Sequence, residues 1–438
     1  MGKAVHEHPE ELLRSLVRFD TTNPPGNEAP CVDYIRGLLG EAGLETAVLG
    51  KSPERTNVVA RLRGAGAAPP LLMYGHVDVV TTANQDWSVD PFEGAISDGF
   101  VWGRGTLDMK GGIAMMLSAL LRAKAEGLTP AGDVVFAALS DEEAGGEYGA
   151  EYLTENHPEH FKGARYAIGE FGGFPMYYGG KRFYAIQVSE KQVCWLRAIL
   201  RGPGGHGSLP ARGGTMAKLA EFVGKLGKSR LPVHFDAVVR RQLEIMASAL
   251  SGRERDELNG LLNPDTTDAT LDAMGPRGLM LDAMLHNVVN PSVVRGGDKI
   301  NVLPSEIVLE MDGRTLPGFG PEDLISEVRG VVGDMAEIEL IRYDPGPSAA
   351  DMGLFDALSG ILLKADPEGV AVPLLLMGCT DARFFAKLGI QSYGFTPMNL
   401  PADFDFLRLV HAADERIPIE CLQFGAGAIY ELLRSYRG

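Results

Sequence analysis

His76 and Asp78 interrupt an apolar run, "LLMYGHVDVV" at 71–80. Asp108 lies in "GRGTLDMKGG", Asp141, Glu142 and Glu143 follow the apolar "VVFAALS", and Glu170 ends "ARYAIGE". Three adjacent carboxylates after a buried segment repel one another, and partial burial strengthens the repulsion. A positive partner that the letters do not spell resolves the conflict. Imidazole and carboxylate ligands suit a divalent cation, most readily Zn²⁺, although Mn²⁺ or Co²⁺ also fits oxygen-rich ligands. One ion cannot absorb so many carboxylates, whereas two ions roughly 3.5–4 Å apart, bridged by one of them, can. Asp78 shares a strand face with His76, so its carboxylate can accept the imidazole N–H. Taken singly, these residues have plainer readings: a hydrogen-bonded pair, a solvated acidic helix start, an N-cap. Their order and comparable spacing join them.

Each residue sits at the carboxyl end of a strand or in the connection after it, where open α/β sheets place ligands. Apolar runs at 70–80, 133–140 and 164–170 predict buried strands, and 111–127 predicts an amphipathic helix ended by glycine. Residues 9–18 and 28–42 carry helical spacing on either side of "TTNPPGNE", a loop because of its prolines and glycine. The rhythm predicts an α/β fold with a mixed, mostly parallel sheet flanked by helices. Near residue 190 the pattern changes to half-buried alternation, with Cys194, Leu196, Ala198 and Leu200 on one face and later Ile307, Leu309 and Met311 on another. Helical segments at 215–226 and within 236–286 lie between these strands. The expected layout is a catalytic domain, 1–189 and 317–438, interrupted by a smaller α+β domain at 190–316. In the resumed part, helices are expected at 321–335 and 418–435.

A length of 438 residues exceeds what one core normally fills. Lys plus Arg number 41 against 58 Asp plus Glu, a formal charge of −17, which argues against nucleic-acid and anionic-membrane partners. No stretch is long and apolar enough to span a bilayer. The scattered cysteines, Cys31, Cys194, Cys379 and Cys421, read as buried thiols in a reducing compartment. "MGKAVHEHPEELLRSLVRFD" has acids and no continuous apolar core, so it does not read as a signal peptide. A cytoplasmic protein is expected.

The series "YGHVDVV", "GRGTLDMKGG", "SDEEAGG", "GEFGG", "GGHGS", "NVLPSE", "TDARFF" and "HAADERIPIE" resembles the dinuclear-zinc amidohydrolases and exopeptidases: glutamate carboxypeptidases, succinyl-diaminopimelate desuccinylases, acetylornithine deacetylases and aminoacylases. The resemblance runs over nearly the whole chain. It implies His76 and Glu170 on one zinc, Glu143 and His411 on the other, and Asp108 bridging. Glu142 would be the general base, Asp78 would orient His76, and the Asp108–Met109 peptide would be cis. Read without the resemblance, His411 is a surface-loop histidine. His6, His8, His157, His160, His234 and His286 lack carboxylate company at strand ends and read as surface or packing residues.

The resemblance also implies a reaction. A water shared by two cations is acidified, Glu142 takes its proton, and the same side chain returns it to the leaving amine. His206, in a glycine-rich turn, would donate to the oxyanion. In the family it comes from the partner subunit's inserted domain, which implies a homodimer. Asn301 and Arg314, with Thr380 and Arg383, would bind the substrate's carboxylate, although Arg314 fits a hinge salt bridge equally well. Glu170 in place of aspartate resembles the aminoacylase, desuccinylase and carboxypeptidase branches. Apolar stretches within 236–286 fit the wall of an acyl or side-chain pocket. The expected activity is amide hydrolysis of N-acyl amino acids or of the C-terminal bond of small peptides. The alternatives are a dipeptidase or aminopeptidase of the same family, and a non-catalytic zinc-binding dimeric scaffold.

Overall fold

The computed structural model describes residues 5–210 and 212–438. The chain divides into two compact units. The first ends at Val188 and resumes over Asp351–Leu374 and Thr380–Gly438; the second comprises Ser189–Ala350 and Leu375–Cys379.

The first unit is built on a mixed sheet in the order Glu45–Ser52, Arg55–Leu62, Val134–Leu139, Leu71–His76, Tyr166–Gly169, Gln391–Gly394, Lys181–Glu190, Val370–Leu376. The four strands from Val134–Leu139 to Gln391–Gly394 are mutually parallel, and those flanking them pair antiparallel. Every residue of Leu71–His76 and Val134–Leu139 is buried, which is why they read as continuous apolar runs rather than alternating ones. Helix Lys110–Ala125 packs on Leu71–His76 and on helices Pro9–Val17 and Ile419–Ser435. It is buried on nearly all sides, so the expected amphipathic helix is an interior one. Gly425 permits this packing: a Cβ there would lie 2.3 Å from Met115 Sδ and 2.5 Å from Pro397 O.

Parallel register brings three strand ends to one rim. His76 pairs opposite Leu139, and Met73 opposite Ile168. The residues just beyond, Ser140–Glu143 and Glu170, therefore emerge at the level of His76. No helix among the described residues is long and apolar enough to cross a membrane.

The second unit holds a four-stranded antiparallel sheet, in the order Val288–Arg295, Glu306–Thr315, Gln192–Arg201, Glu337–Asp344. Cys194, Leu196, Ala198, Leu200, Leu309 and Met311 bury one face against Phe222, Leu324 and Val328. The opposite face carries ion pairs such as Arg197–Glu339 and Arg201–Glu306. The expected end of the insertion at 316 is corrected to Ala350, because helix Pro321–Val332 and strand Glu337–Asp344 complete this sheet and its core. Helices Ala237–Ala249, Gly252–Leu261, Thr267–Met274 and Leu279–Leu285 occupy the helix-rich stretch.

Candidate metal centre

Two groups of potential ligands form in the first unit, His76 with Asp108 and Glu170, and Asp108 with Glu143 and His411; in each, one ligand atom per residue lies within 4.8 Å of the others. His76 Nε2 is 3.1 Å from Asp108 Oδ1 and 3.3 Å from Glu170 Oε2. His411 Nε2 is 3.1 Å from Asp108 Oδ2 and 3.3 Å from Glu143 Oε1. Asp108 thus turns one carboxylate oxygen toward each imidazole. It sits at the end of the 103–108 turn, just before helix Lys110–Ala125, and the Asp108–Met109 peptide is cis. His411 has a left-handed backbone, φ 63°, a conformation uncommon outside glycine. Glu142 belongs to neither group. Among the described residues, His157, His160, His234 and His286 join neither group either.

Asp78 organises the rim beyond its expected task. His76 Nδ1 lies 3.0 Å from the Asp78 carbonyl oxygen and 3.4 Å from Oδ1. The same carboxylate accepts the backbone N–H of Glu142 at 3.2 Å, the N–H of Glu143 at 3.1 Å and Asn23 Nδ2 at 2.8 Å. One buried carboxylate therefore holds both the histidine and the turn carrying the two glutamates. Asp141, the first of the three adjacent acids, is buried rather than solvent-facing. It accepts from Asn23 Nδ2 and Tyr148 N and pairs with Arg55 at 2.8 Å, and Arg55 also binds Glu28. Asn23, in the "TTNPPGNE" loop, escaped notice as a site residue; an asparagine beside two prolines signals a turn before anything else.

Charge is unbalanced at this rim. Burial pushes up the carboxyls of Glu143 and Glu170. Burial and the neighbouring Glu170 hold Glu142 well above the usual carboxylate range. Burial opposes protonation of His76, but Glu170, Asp108 and Asp78 outweigh it and hold the ring well above its ordinary value. The Asp108 and Glu143 carboxylates push His411 up to about 10, and both histidines hold Asp108 below its usual range despite burial. Asp381, also unforeseen, is buried with neither carboxylate oxygen hydrogen-bonded, and burial pushes it up to about 8. Acids collected in this way are what bound cations neutralise.

The expected substrate residues divide between the two units: Thr380 and Arg383 belong to the first, Asn301 and Arg314 to the second. Arg383 is buried, its guanidinium donating to Thr380 O at 3.2 Å and Gly145 O at 3.0 Å. With both ends on main-chain carbonyls, it braces the 142–146 turn rather than presenting an open fork. Thr380 Oγ1 accepts the N–H of Ala382 at the start of helix Ala382–Ala386. His206, Asn301 and Arg314 belong to the second unit. Exposed His206 lies on the short strand Gly205–His206, with Nδ1 3.3 Å from Ser208 N. Asn301 is exposed, and its carbonyl accepts Gly207 N. Arg314 pairs with Asp312 and donates to Cys379 Sγ at 3.4 Å; Cys379, unlike the other three cysteines, is only partly buried.

The sequence profile of Peptidase family M20/M25/M40 matches residues 72–435. "Probable carboxypeptidase S-like 2" of Dictyostelium discoideum is 28% identical over 382 residues, covering 84% of this chain and 71% of that protein. "N-fatty-acyl-amino acid synthase/hydrolase PM20D1" of Homo sapiens is 26% identical over 379 residues, covering 84% and 74%. The solved M20 family metallo-carboxypeptidase Sso-CP2 of Sulfolobus solfataricus shares the fold, with a TM-score of 0.67 at 16% identity over 98% of this chain and 99% of that one.

Proposed function

Because the chain belongs to peptidase family M20/M25/M40, we propose that it holds two Zn²⁺ ions and hydrolyses N-acyl amino acids or the C-terminal bond of small peptides. It is a metallohydrolase of amide and peptide bonds, and two groups of its side chains could each hold a metal ion. The chief support for the proposal is Asp108, whose two oxygens face two different imidazoles.

The residues fit a cation pair. Each group offers one imidazole nitrogen and two carboxylates, a donor set suited to Zn²⁺. His76 Nδ1 faces two acceptors on Asp78, so it carries the hydrogen in the neutral ring. The Nε2 lone pair then points at carboxylates, an arrangement that a cation between them makes favourable. Glu143 Oε1 is buried, faced by His411 Nε2 at 3.3 Å but without a well-formed hydrogen bond, and a metal between them would satisfy it.

His76 and Glu170 would hold one ion, Glu143 and His411 the other, and Asp108 both. Bound there, the ions would supply Lewis acidity and acidify a water between them. Glu142 keeps its carboxylate outside both ligand groups, where it accepts a proton and returns it to the leaving nitrogen. Asp78 fixes the backbone N–H groups of Glu142 and Glu143, so the base and its neighbouring ligand hold a constant spacing. At His206, Nδ1 faces the Ser208 N–H at 3.3 Å and Ser208 Oγ at 2.7 Å; with Nδ1 as acceptor of the N–H, the neutral ring carries its hydrogen on Nε2, which would be a donor for a developing oxyanion. Arg314 and Asn301 would receive the substrate's carboxylate, Arg314 exchanging Asp312 for it.

The test is a hydrolysis panel of N-acyl amino acids, C-terminally free peptides and dipeptides, run with chelator and with restored Zn²⁺, Mn²⁺ or Co²⁺. Turnover of the first two classes, abolished by chelator and restored best by Zn²⁺, is expected. A strict requirement for a free α-amine would replace this reading with the dipeptidase or aminopeptidase one, and chelator-insensitive turnover would refute it.

The proposed homodimer forms through the second unit. Strand Val288–Arg295 lies at the edge of its sheet and exposes Val293 and Val294, an edge open to pairing with a second copy. Val294→Asp is expected to shift sedimentation from dimer to monomer. A wild-type chain that sediments as a monomer at micromolar concentration contradicts the dimer.

A further inference from the structure

Glu415 is fully buried four residues after His411, within "HAADERIPIE". Its Oε1 accepts Leu107 N at 2.7 Å and Asp108 N at 3.2 Å, and its Oε2 accepts Gly105 N at 3.1 Å and Arg104 Nη1 at 2.5 Å. A buried carboxylate is tolerated only when paired and hydrogen-bonded in this way. Three of its four donors are backbone groups of the turn that ends at Asp108. Arg104, also buried, extends the chain of contacts: its Nη2 donates to Gln85 Oε1 at 2.8 Å, and its guanidinium lies 5.2 Å from the Trp87 ring centre. Trp87 Nε1 donates to the same Gln85 oxygen at 3.1 Å, and Gln85 Nε2 donates to the carbonyl oxygen of His411 at 2.8 Å.

We propose that Glu415 is a positioning residue which, through Arg104 and Gln85, locks the Asp108 turn and the His411 backbone into one frame and so sets the spacing of the shared carboxylate and the exposed imidazole. The physical need is specific. His411 is half exposed and has a left-handed φ of 63°, so local packing does not hold it. Asp108 ends a turn rich in glycine, whose backbone has many alternatives. Neither segment has a preferred geometry of its own, and the buried carboxylate with its two relays supplies one.

This inference rests on the two-metal reading above, and its test separates the two. Wild-type protein stripped and reloaded with Co²⁺ is expected to bind two equivalents with visible d–d absorption; a chain that takes up no metal overturns both readings. Glu415→Gln sets an amide NH₂ against the N–H donors of the turn. We expect Co²⁺ affinity at one or both sites about 10–100-fold weaker, a shifted d–d band, and kcat lowered with KM changed less than about twofold. Gln85→Leu leaves the Arg104–Glu415 pair intact, keeps the fold, and is expected to weaken Co²⁺ binding about tenfold with the same spectral change. A purely structural role would lower the melting temperature without moving the band. Wild-type Co²⁺ affinity and spectrum in Gln85→Leu, or in folded Glu415→Gln, overturn the proposal.

Discussion

Glu142→Gln is expected to lower kcat by about 10²–10⁴-fold, or about 3–5 kcal/mol of barrier, with two metal equivalents still bound. Glutamine keeps the length and shape of the side chain and removes its ability to take a proton. Metal content should hold because Glu142 joins neither ligand group. Folding should hold as well. Burial and the charges of Glu170, Asp381 and Glu143 all oppose an ionised carboxylate at this position, so a neutral amide relieves repulsion. Its backbone N–H, bonded to Asp78 Oδ1, is untouched by the substitution. The decisive measurement pairs steady-state kinetics with metal analysis of the same preparation. Activity within tenfold of wild type would remove Glu142 from the mechanism, and lost metal would make it a ligand instead.

Asp108→Ala is expected to abolish turnover to below one part in about 10³ and to reduce bound metal from two equivalents to one or none. No other residue stands in both ligand groups, so one truncation strips a carboxylate from each. What remains on either side is one imidazole and one carboxylate, fewer than the three protein ligands of a catalytic zinc site. Thermal unfolding gives an independent readout. Excess Zn²⁺ at about 1,000 times its dissociation constant should stabilise the wild type by about 4 kcal/mol, and that gain should shrink in Asp108→Ala, disappearing if no equivalent stays bound. His411→Ala serves as the comparison: it removes a ligand from one group only, so one equivalent should remain. Two equivalents bound to Asp108→Ala would end the bridging assignment.

Much of the catalytic unit was legible because its strands are covered on both faces. Burial of that kind leaves nearly unbroken apolar runs, and a histidine or acid at the end of such a run stands out. His76, Glu142, Glu143 and Glu170 were visible for this reason, and parallel register then brings them to one level. Elsewhere the letters were ambiguous. "EIELIRYD" alternates like many edge strands, and only its pairing with Gln192–Arg201 assigns it to the second unit and moves the boundary from 316 to 350. Arg383 offered the residue type that binds carboxylates, yet its guanidinium turns inward to main-chain carbonyls. Glu415 sits in a charged stretch that reads as solvated surface, and it is fully buried.

The sequence by itself determined the chemistry available: which acids and imidazoles exist, and that several terminate buried strands, since hydrophobic periodicity and ligand type are local properties of the chain. The family resemblance already implied Asp108 as the shared carboxylate; tertiary structure alone decided which acid serves as scaffold and how segments more than 300 residues apart, such as Asp108 and Glu415, meet. Those outcomes depend on long-range register and on where buried charges find partners, and no short stretch of sequence encodes either.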